Sequence, residues 1–258
     1  MTFWQIYLQG AGLILIFMTG MWLLSVYLKN ASIVDSGWGL GFVILAWFWF
    51  FRTDGFLTRK LLLLTLVTIW GLRLAGYITW RNWGKGEDYR YQNFRRRYGA
   101  KYWWFCYFQV FLLQGVLLLL IASPLLAAQF YGTNSLNIID YIAMAVWIIG
   151  FLFEAGGDFQ LARFKKDPAN RGKVLDRGFW KYTRHPNYFG DASQWWAYGL
   201  FALAAGVWLP LFSSALMTLL LLKVSGVALL ERSLRETKPA YRDYIERTNA
   251  FVPWFPKR

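Results

Sequence analysis

The sequence predicts an all-α, polytopic integral membrane protein of about seven transmembrane helices. Three observations carry that prediction. Of 258 residues, 57% are hydrophobic and only 16% are charged, with a mean hydropathy of +0.31, whereas an ordinary soluble domain carries roughly 25% charged residues. Apolar runs recur at about the 20 residues a helix needs to cross a hydrocarbon core of about 30 Å. The cations collect between those runs and, when the runs are threaded alternately, fall almost entirely on one side.

The runs are 7–28, 33–51, 61–80, 104–128, 138–159, 190–208 and 210–230. The first lacks the basic flank and small-residue cleavage site of a signal peptide and is long enough to span, so it reads as a retained helix. Lys29 closes it. The second and third are separated by Arg52, Arg59 and Lys60, and the fourth holds the lone cysteine, Cys106, which rules out an intrachain disulfide or a thiolate metal site. The sixth starts with polar residues, Asp191, Ser193 and Gln194, and Pro210 interrupts its junction with the seventh. Threaded in this order, 23 of the 28 Lys and Arg residues lie on one face. The positive-inside rule then places the N-terminus outside and the C-terminus in the cytoplasm. No repeat and no Gly/Ser or Pro-rich linker divides the chain, which reads as one domain over residues 1–258.

The net charge of +14 by itself suggests a nucleic-acid partner, but cations placed between spans are a topology signal, and no nucleic acid is expected. The composition also excludes a disordered chain and a disulfide scaffold. The basic segments 81–103 and 160–189 are too long and too patterned to be minimal connections, and long loops in compact proteins tend to carry function.

The densest chemical signal is the run from Arg177 to Trp196, with the only histidine, His185, followed by Pro186, Asn187 and Tyr188 and then Asp191 at the mouth of a span. A juxtamembrane belt explains the aromatics and most of the lysines. It explains less well why Arg184, His185, Asn187 and Asp191 crowd one helix start, where backbone N–H groups and the dipole favour a bound phosphate. Within the spans, Asp35, Arg73, Glu154, Asp158 and Lys223 are costly in lipid and mark a polar interior. Asp35 and Arg73 are a candidate pair. Glu154 and Asp158 lie four residues apart on one helix face and repel unless a cation lies between them; Arg163, Lys165 and Arg232 are candidates. In GKGEDYRYQNFRRRYG, Gly84 and Gly86 do not make a P-loop. Arg95, Arg96 and Arg97 read as lipid contacts, and Glu87, Asp88, Arg90 and Tyr91 as the better cofactor candidates. One histidine, one cysteine and scattered acids support no metal site, and no G-x-G-x-x-G occurs.

The stretch G-F-W-K-Y-T-R-H-P-N-Y-F-G-D, with Trp195, Glu231, Tyr241, Tyr244 and Pro253, resembles the C-terminal signature shared by steroid 5-alpha-reductases, delta-14 sterol reductases and isoprenylcysteine carboxyl methyltransferases. DSGWGLGF at 35–42 and RNWGKGEDYRY at 81–91 resemble the bacterial branch of the steroid 5-alpha-reductase superfamily. The resemblance covers most of the chain. It implies a seven-helix enzyme of the bacterial inner membrane that holds NADPH in a cytoplasm-facing cleft, mainly from residues 81–103 and 154–258. Its substrate would be a 3-oxo-4-ene steroid or a sterol-like enone entering from the membrane lipids, with no obligate protein partner. By matching position, it implies cofactor contacts from Arg90, Tyr91, Asp158, Tyr182, Asn187, Tyr188, Asp191 and Trp195. Arg163, Lys165, Arg184, His185, Arg232, Tyr241 and Tyr244 complete the expected cleft. His185-Pro186 stands where the animal enzymes have Gly-Ala. Where those enzymes place a Gln-Glu pair and a Tyr around the steroid carbonyl, this chain has Val34-Asp35 and Trp70, with Arg73 and Tyr77 further along. Asp35, Arg73 and Tyr77 are therefore the catalytic candidates, supplying a proton or hydrogen bond to the enolate that forms as hydride reaches the β-carbon. A methyltransferase that uses S-adenosylmethionine on a lipophilic acceptor is the alternative, since it would reuse the same cleft. A non-enzymatic membrane protein is a third reading.

Overall fold

A computed structural model describes the chain except Thr133, Ser225, Pro239 and Arg258, and except the side chains of Ala228, Leu229, Arg232, Ser233 and Arg235. The predicted all-α class holds: the described residues contain helices and no strand. Five stretches are long and apolar enough to cross a membrane, namely Phe3–Leu28, Ile33–Phe50, Leu57–Asn82, Tyr89–Phe130 and Ile138–Lys166. The predicted sixth and seventh spans are not among them. Asn187, Asp191 and Gln194 lower the hydropathy of the helix Pro186–Ala204, and the last apolar run breaks after Leu211–Leu219 into a π turn, Leu220–Val224.

The chain, read as one domain, folds into two compact units. Unit 1 is Met1–Leu136 with Ala205–Val207, and unit 2 is Asn137–Ala204 with Trp208–Arg258. Unit 1 holds α1 (Phe3–Leu28), α2 (Ile33–Phe50), α3 (Leu57–Asn82), α4 (Tyr89–Tyr98), α5 (Tyr102–Cys106) and α6 (Leu113–Phe130), the last two joined by a π segment, Tyr107–Leu112. Unit 2 holds α7 (Ile138–Lys166), α8 (Phe179–Tyr182), α9 (Pro186–Ala204), α10 (Leu211–Leu219), α11 (Val227–Thr237) and α12 (Tyr241–Arg247).

Three of these starts have a clear local cause. Thr2 and Gln5 form a reciprocal capping box on α1, as Asn137 and Asp140 do on α7. Pro186 opens α9 at the one helical position where a missing N–H costs nothing. The unit 1 core is built on the fully buried Phe42, Trp49, Trp70 and Phe111, and that of unit 2 on Trp195, Tyr198 and Phe201. Trp147 Nε1 donates to the Tyr198 hydroxyl at 2.9 Å, so even the polar edge of that core is satisfied.

Lipid offers no hydrophobic drive between helices, so close backbone approach through small residues takes its place. Each unit has one reciprocal glycine contact. A Cβ on Gly39 of α2 would lie 2.5 Å from the carbonyl oxygen of Gly71 on α3, and one on Gly71 would lie 2.7 Å from the carbonyl of Gly39. A Cβ on Gly190 of α9 would lie 2.4 Å from the Gly150 carbonyl of α7, and one on Gly150 2.7 Å from the Gly190 carbonyl. Backbone cannot yield as a side-chain tip can. Gly190→Ala is therefore expected to cost about 1–3 kcal/mol or more through overpacking, seen as a lower detergent melting temperature. Gly76→Ala, whose Cβ meets nothing within 4 Å, should be neutral or slightly stabilising because alanine is the better helix former.

Candidate functional site

The α7–α9 approach in unit 2 places two acid–amide pairs face to face. Gln194 Nε2 donates to Glu154 Oε2 at 2.6 Å and Asn187 Nδ2 donates to Asp158 Oδ1 at 3.2 Å. Glu154 and Asp158 are buried, and the donors that face them include neutral amides of α9 rather than only the cations expected from the sequence. Trp195, one turn from Asp191, is fully buried and edge-on to Tyr198, so it belongs to the core of α9.

The segment before α9 clasps the end of the chain. Arg184 donates through Nε and Nη2 to Glu231 Oε1, at 2.8 and 2.7 Å, and its Nη1 donates to the carbonyls of Ile245 and Thr248. The Arg184 N–H donates to Asn249 O at 2.9 Å, and Thr183 Oγ1 donates to Phe251 O at 2.8 Å. His185 Nε2 stands 3.2 Å from the same Glu231 oxygen, its ring 5.6 Å from that of Tyr188. Since Glu231 is the acceptor, His185 carries its proton on Nε2. The Tyr244 hydroxyl donates to Trp180 O. Burial alone would raise the Glu231 pKa, but the hydrogen bonds and charges of His185 and Arg184 outweigh it and hold the carboxyl at about 2 against an ordinary 4.5. Arg184, expected to meet a phosphate, thus spends its guanidinium on Glu231 and the C-terminal segment, and His185, expected to do the same, turns Nε2 to Glu231. A buried guanidinium needs a carboxylate, and the sequence places Glu231 too far along the chain for spacing to reveal the pair.

Two neighbouring cavities open beside this clasp. One, of about 90 Å³, is walled by Lys165, Trp180, Arg184, Lys238, Tyr241 and Tyr244. The other, of about 400 Å³, adds Lys166 and Arg171 and shares Leu161, Lys165, Leu175 and Lys238 with the first. The structure therefore gathers four of the predicted cofactor residues, Lys165, Arg184, Tyr241 and Tyr244. Sequence reasoning missed Lys166, Arg171, Trp180 and Lys238; the only signal for Lys238 was one more cation in a basic tail. Arg163 opens instead onto a groove of about 730 Å³, which shares Phe164, Asp167, Asn170 and Leu175 with the 400 Å³ cavity. Tyr182 is part-exposed, packed near Phe255, and the side chain of Arg232 lies outside the described residues.

In unit 1 the two N-terminal motifs meet. Asp35, in the first turn of α2, accepts from Arg90 Nη2 at 2.7 Å and from the Tyr91 hydroxyl at 2.6 Å. This corrects the expected Asp35–Arg73 pair: Arg73 instead has its guanidinium 5.6 Å from the ring of Tyr77, one turn along α3. The two Asp35 oxygens thus hold Arg90 and Tyr91. Glu87 accepts from the Ala31 N–H at 2.8 Å and from Arg95 through two nitrogens at 2.9 and 3.0 Å. Asp88 caps α4 through the Arg90 N–H and receives Arg90 Nε at 2.9 Å. Glu87 and Asp88 thus have structural partners, and Arg95, read as a lipid contact, is tied to Glu87.

Residues 21–248 match a family described as a protein of unknown function, DUF1295. The chain belongs to the DUF1295 family. This DUF1295 member is 28% identical to an uncharacterized protein of Schizosaccharomyces pombe, C594.04c, over 94% of this chain and 78% of the relative. No solved structure matches it.

Two outcomes follow from these contacts. Glu231→Gln leaves Arg184 buried without its charge partner, a change that typically costs about 3–5 kcal/mol and should loosen residues 245–257 to protease. Because the folded pKa of Glu231 is depressed, its contribution is complete above about 4.5 and fades as pH falls toward about 2; in the Gln variant that part of the acid-denaturation curve should flatten. Asp35→Asn removes the charge that holds Arg90 and Tyr91, and hydrogen exchange should then rise at the start of α4 while the clasp of unit 2 stays protected.

Proposed function

We propose that this DUF1295 member is a membrane-embedded reductase that uses NADPH to saturate the carbon–carbon double bond of a 3-oxo-4-ene steroid or a similar lipophilic enone. The observation that carries the reading is the pair of neighbouring cavities in unit 2. The larger, of about 400 Å³, falls within the roughly 300–1,000 Å³ of ordinary ligand pockets, and Lys165, Lys166, Arg171 and Lys238 line the two. Cations in that number suit a dinucleotide bearing several phosphates better than S-adenosylmethionine, which has none.

In this proposal Lys165, Lys166, Arg171 and Lys238 hold the phosphates, while Trp180, Tyr241 and Tyr244 offer aromatic walls at the closed end. Arg184 and His185 act through Glu231, keeping the C-terminal segment in place so that Tyr241 and Tyr244 keep their positions. When bound, NADPH supplies a hydride to the β-carbon of the enone. The oxygen that gains charge as a result needs a preformed donor, typically worth several kcal/mol in a dry site.

The proposal includes seven spans, with the N-terminus outside and the cavities facing the cytoplasm of a bacterial inner membrane. The distribution of 23 of 28 cations on one side supports that orientation. α9 qualifies as a span despite its polar residues because Gln194 and Asn187 are turned toward Glu154 and Asp158, so the polarity is satisfied inside the protein. α10 with its π turn supplies the seventh.

Purified protein in detergent should be stabilised by NADPH, by about 2.7 kcal/mol at a hundred times its dissociation constant, and not by S-adenosylmethionine. Lys165→Gln combined with Lys238→Gln should weaken NADPH at least tenfold. Oxidation of NADPH should accompany a product two mass units heavier than a 3-oxo-4-ene steroid. Stabilisation by S-adenosylmethionine alone would instead select the methyltransferase, and stabilisation by neither would remove both.

A further inference from the structure

The exposed apolar residues of α7 form a stripe that ends in a cation. Tyr141, Ile148, Leu152 and Phe159 are each about half exposed or more, and they recur at spacings of seven, four and seven residues on one side of the helix. Arg163, exposed and four residues further, continues the same line. From Tyr141 to Arg163 the helix rises about 33 Å, at 1.5 Å per residue, close to the thickness of a hydrocarbon core. A tyrosine therefore stands at one interface of this stripe and an arginine at the other.

At the arginine end lies the groove of about 730 Å³, lined by Gly156, Phe159, Phe164, Phe179, Arg163 and Arg177 among others. Gly156 creates its depth: a Cβ there would lie 2.3 Å from the Phe179 ring. Phe179 is fixed in turn, because its N–H donates to Gln160 Oε1 at 3.0 Å. The nearby acids are already committed. Asp167, at the rim, accepts from the Ala169 N–H and from Asn170 Nδ2, and Asp176 faces Arg247 at 3.7 Å. Among the described residues neither Arg163 nor Arg177 is paired with a carboxylate.

We infer that this groove binds an anionic phospholipid, with its phosphate between Arg163 and Arg177 and an acyl chain along the α7 stripe. Charge decides between lipids: two guanidiniums against the one carboxylate of Asp167 leave the lining net positive, which favours a headgroup of net negative charge over a zwitterion. The inference stands apart from the reductase proposal. Arg163 and Arg177 line only this groove, whereas Lys165 and Lys238 line the cavities assigned to the cofactor.

The test is native mass spectrometry of the full chain in detergent, titrated with phosphatidylglycerol or phosphatidylcholine of identical acyl chains. Each cation near an anionic lipid surface is worth about a factor of five, so the wild type should retain phosphatidylglycerol at least tenfold better. Arg163→Gln with Arg177→Gln, both on exposed positions, should abolish that preference, and Lys165→Gln with Lys238→Gln should keep it. Equal retention of the two lipids by the wild type, or a preference untouched by the arginine changes, overturns the proposal. Loss of the preference in the lysine variant alone relocates the site and overturns it as well. So does saturation by glycerol 3-phosphate or NADPH at the lipid's own concentration, which would mark a site for soluble phosphates.

Discussion

A carboxylate in an apolar helix must find its donors inside the protein, because the surrounding hydrocarbon offers none. In unit 2 that requirement is met by distance between backbones. Gly150 and Gly190 let α7 and α9 approach until a methyl group on either would strike the other's carbonyl. At that separation Gln194 and Asn187 reach Glu154 and Asp158 directly. Gly157 contributes in the same way, its missing Cβ making room for Pro186 and the Asn187 backbone. The glycines thus come first in the chain of causes, since a wider crossing would leave two buried acids short of their amide donors.

The clasp around Glu231 meets the same requirement with charges. A single carboxylate oxygen receives Arg184 and His185, while the remaining guanidinium nitrogen, the Thr183 hydroxyl and the Arg184 N–H donate to carbonyls of residues 245–251. A segment with no regular structure after α12 is thereby held against the start of α9. The Tyr241 and Tyr244 rings owe their places to this arrangement: Tyr244 is tied to Trp180 O, and the two rings pack 5.7 Å apart. Side chains that look like ligands for a phosphate on sequence alone are, in space, what holds the walls of a cavity.

Much of the helical architecture was legible because a helix needs only a local apolar run. The first five predicted spans agree with helices to within a few residues at most ends, and even α4 has local causes, its Asp88 cap among them. Partnerships were not legible, since they depend on segments far apart in sequence. Asp35 and Arg73 share a polar character and neighbouring spans, yet Asp35 is met by Arg90 and Tyr91, 55 and 56 residues away. The π segments at 107–112 and 220–224 also escape a reading based on composition, because a π turn differs from an α turn in hydrogen-bond register and not in residue type. Of the candidate site, four of the expected residues come together in space: Lys165, Arg184, Tyr241 and Tyr244 line one cavity, while Arg163 lines another groove.

That divergence between Arg163 and Lys165 follows from helical geometry. Two residues apart on a helix means about 200° around its axis, so neighbouring cations at the end of α7 point to nearly opposite sides. Both sit in the last turn, where the helix dipole favours positive charge whatever they contact, and a count of basic residues therefore records them as one cluster. The apolar pattern separates them. Residues 141, 148, 152 and 159 lead to 163 along the outer face, whereas 154, 158 and 161 lead to 165 along the face that meets α9 and the clasp. One helix end thus serves two environments, and the phase of the residues preceding each cation tells which of the two it enters.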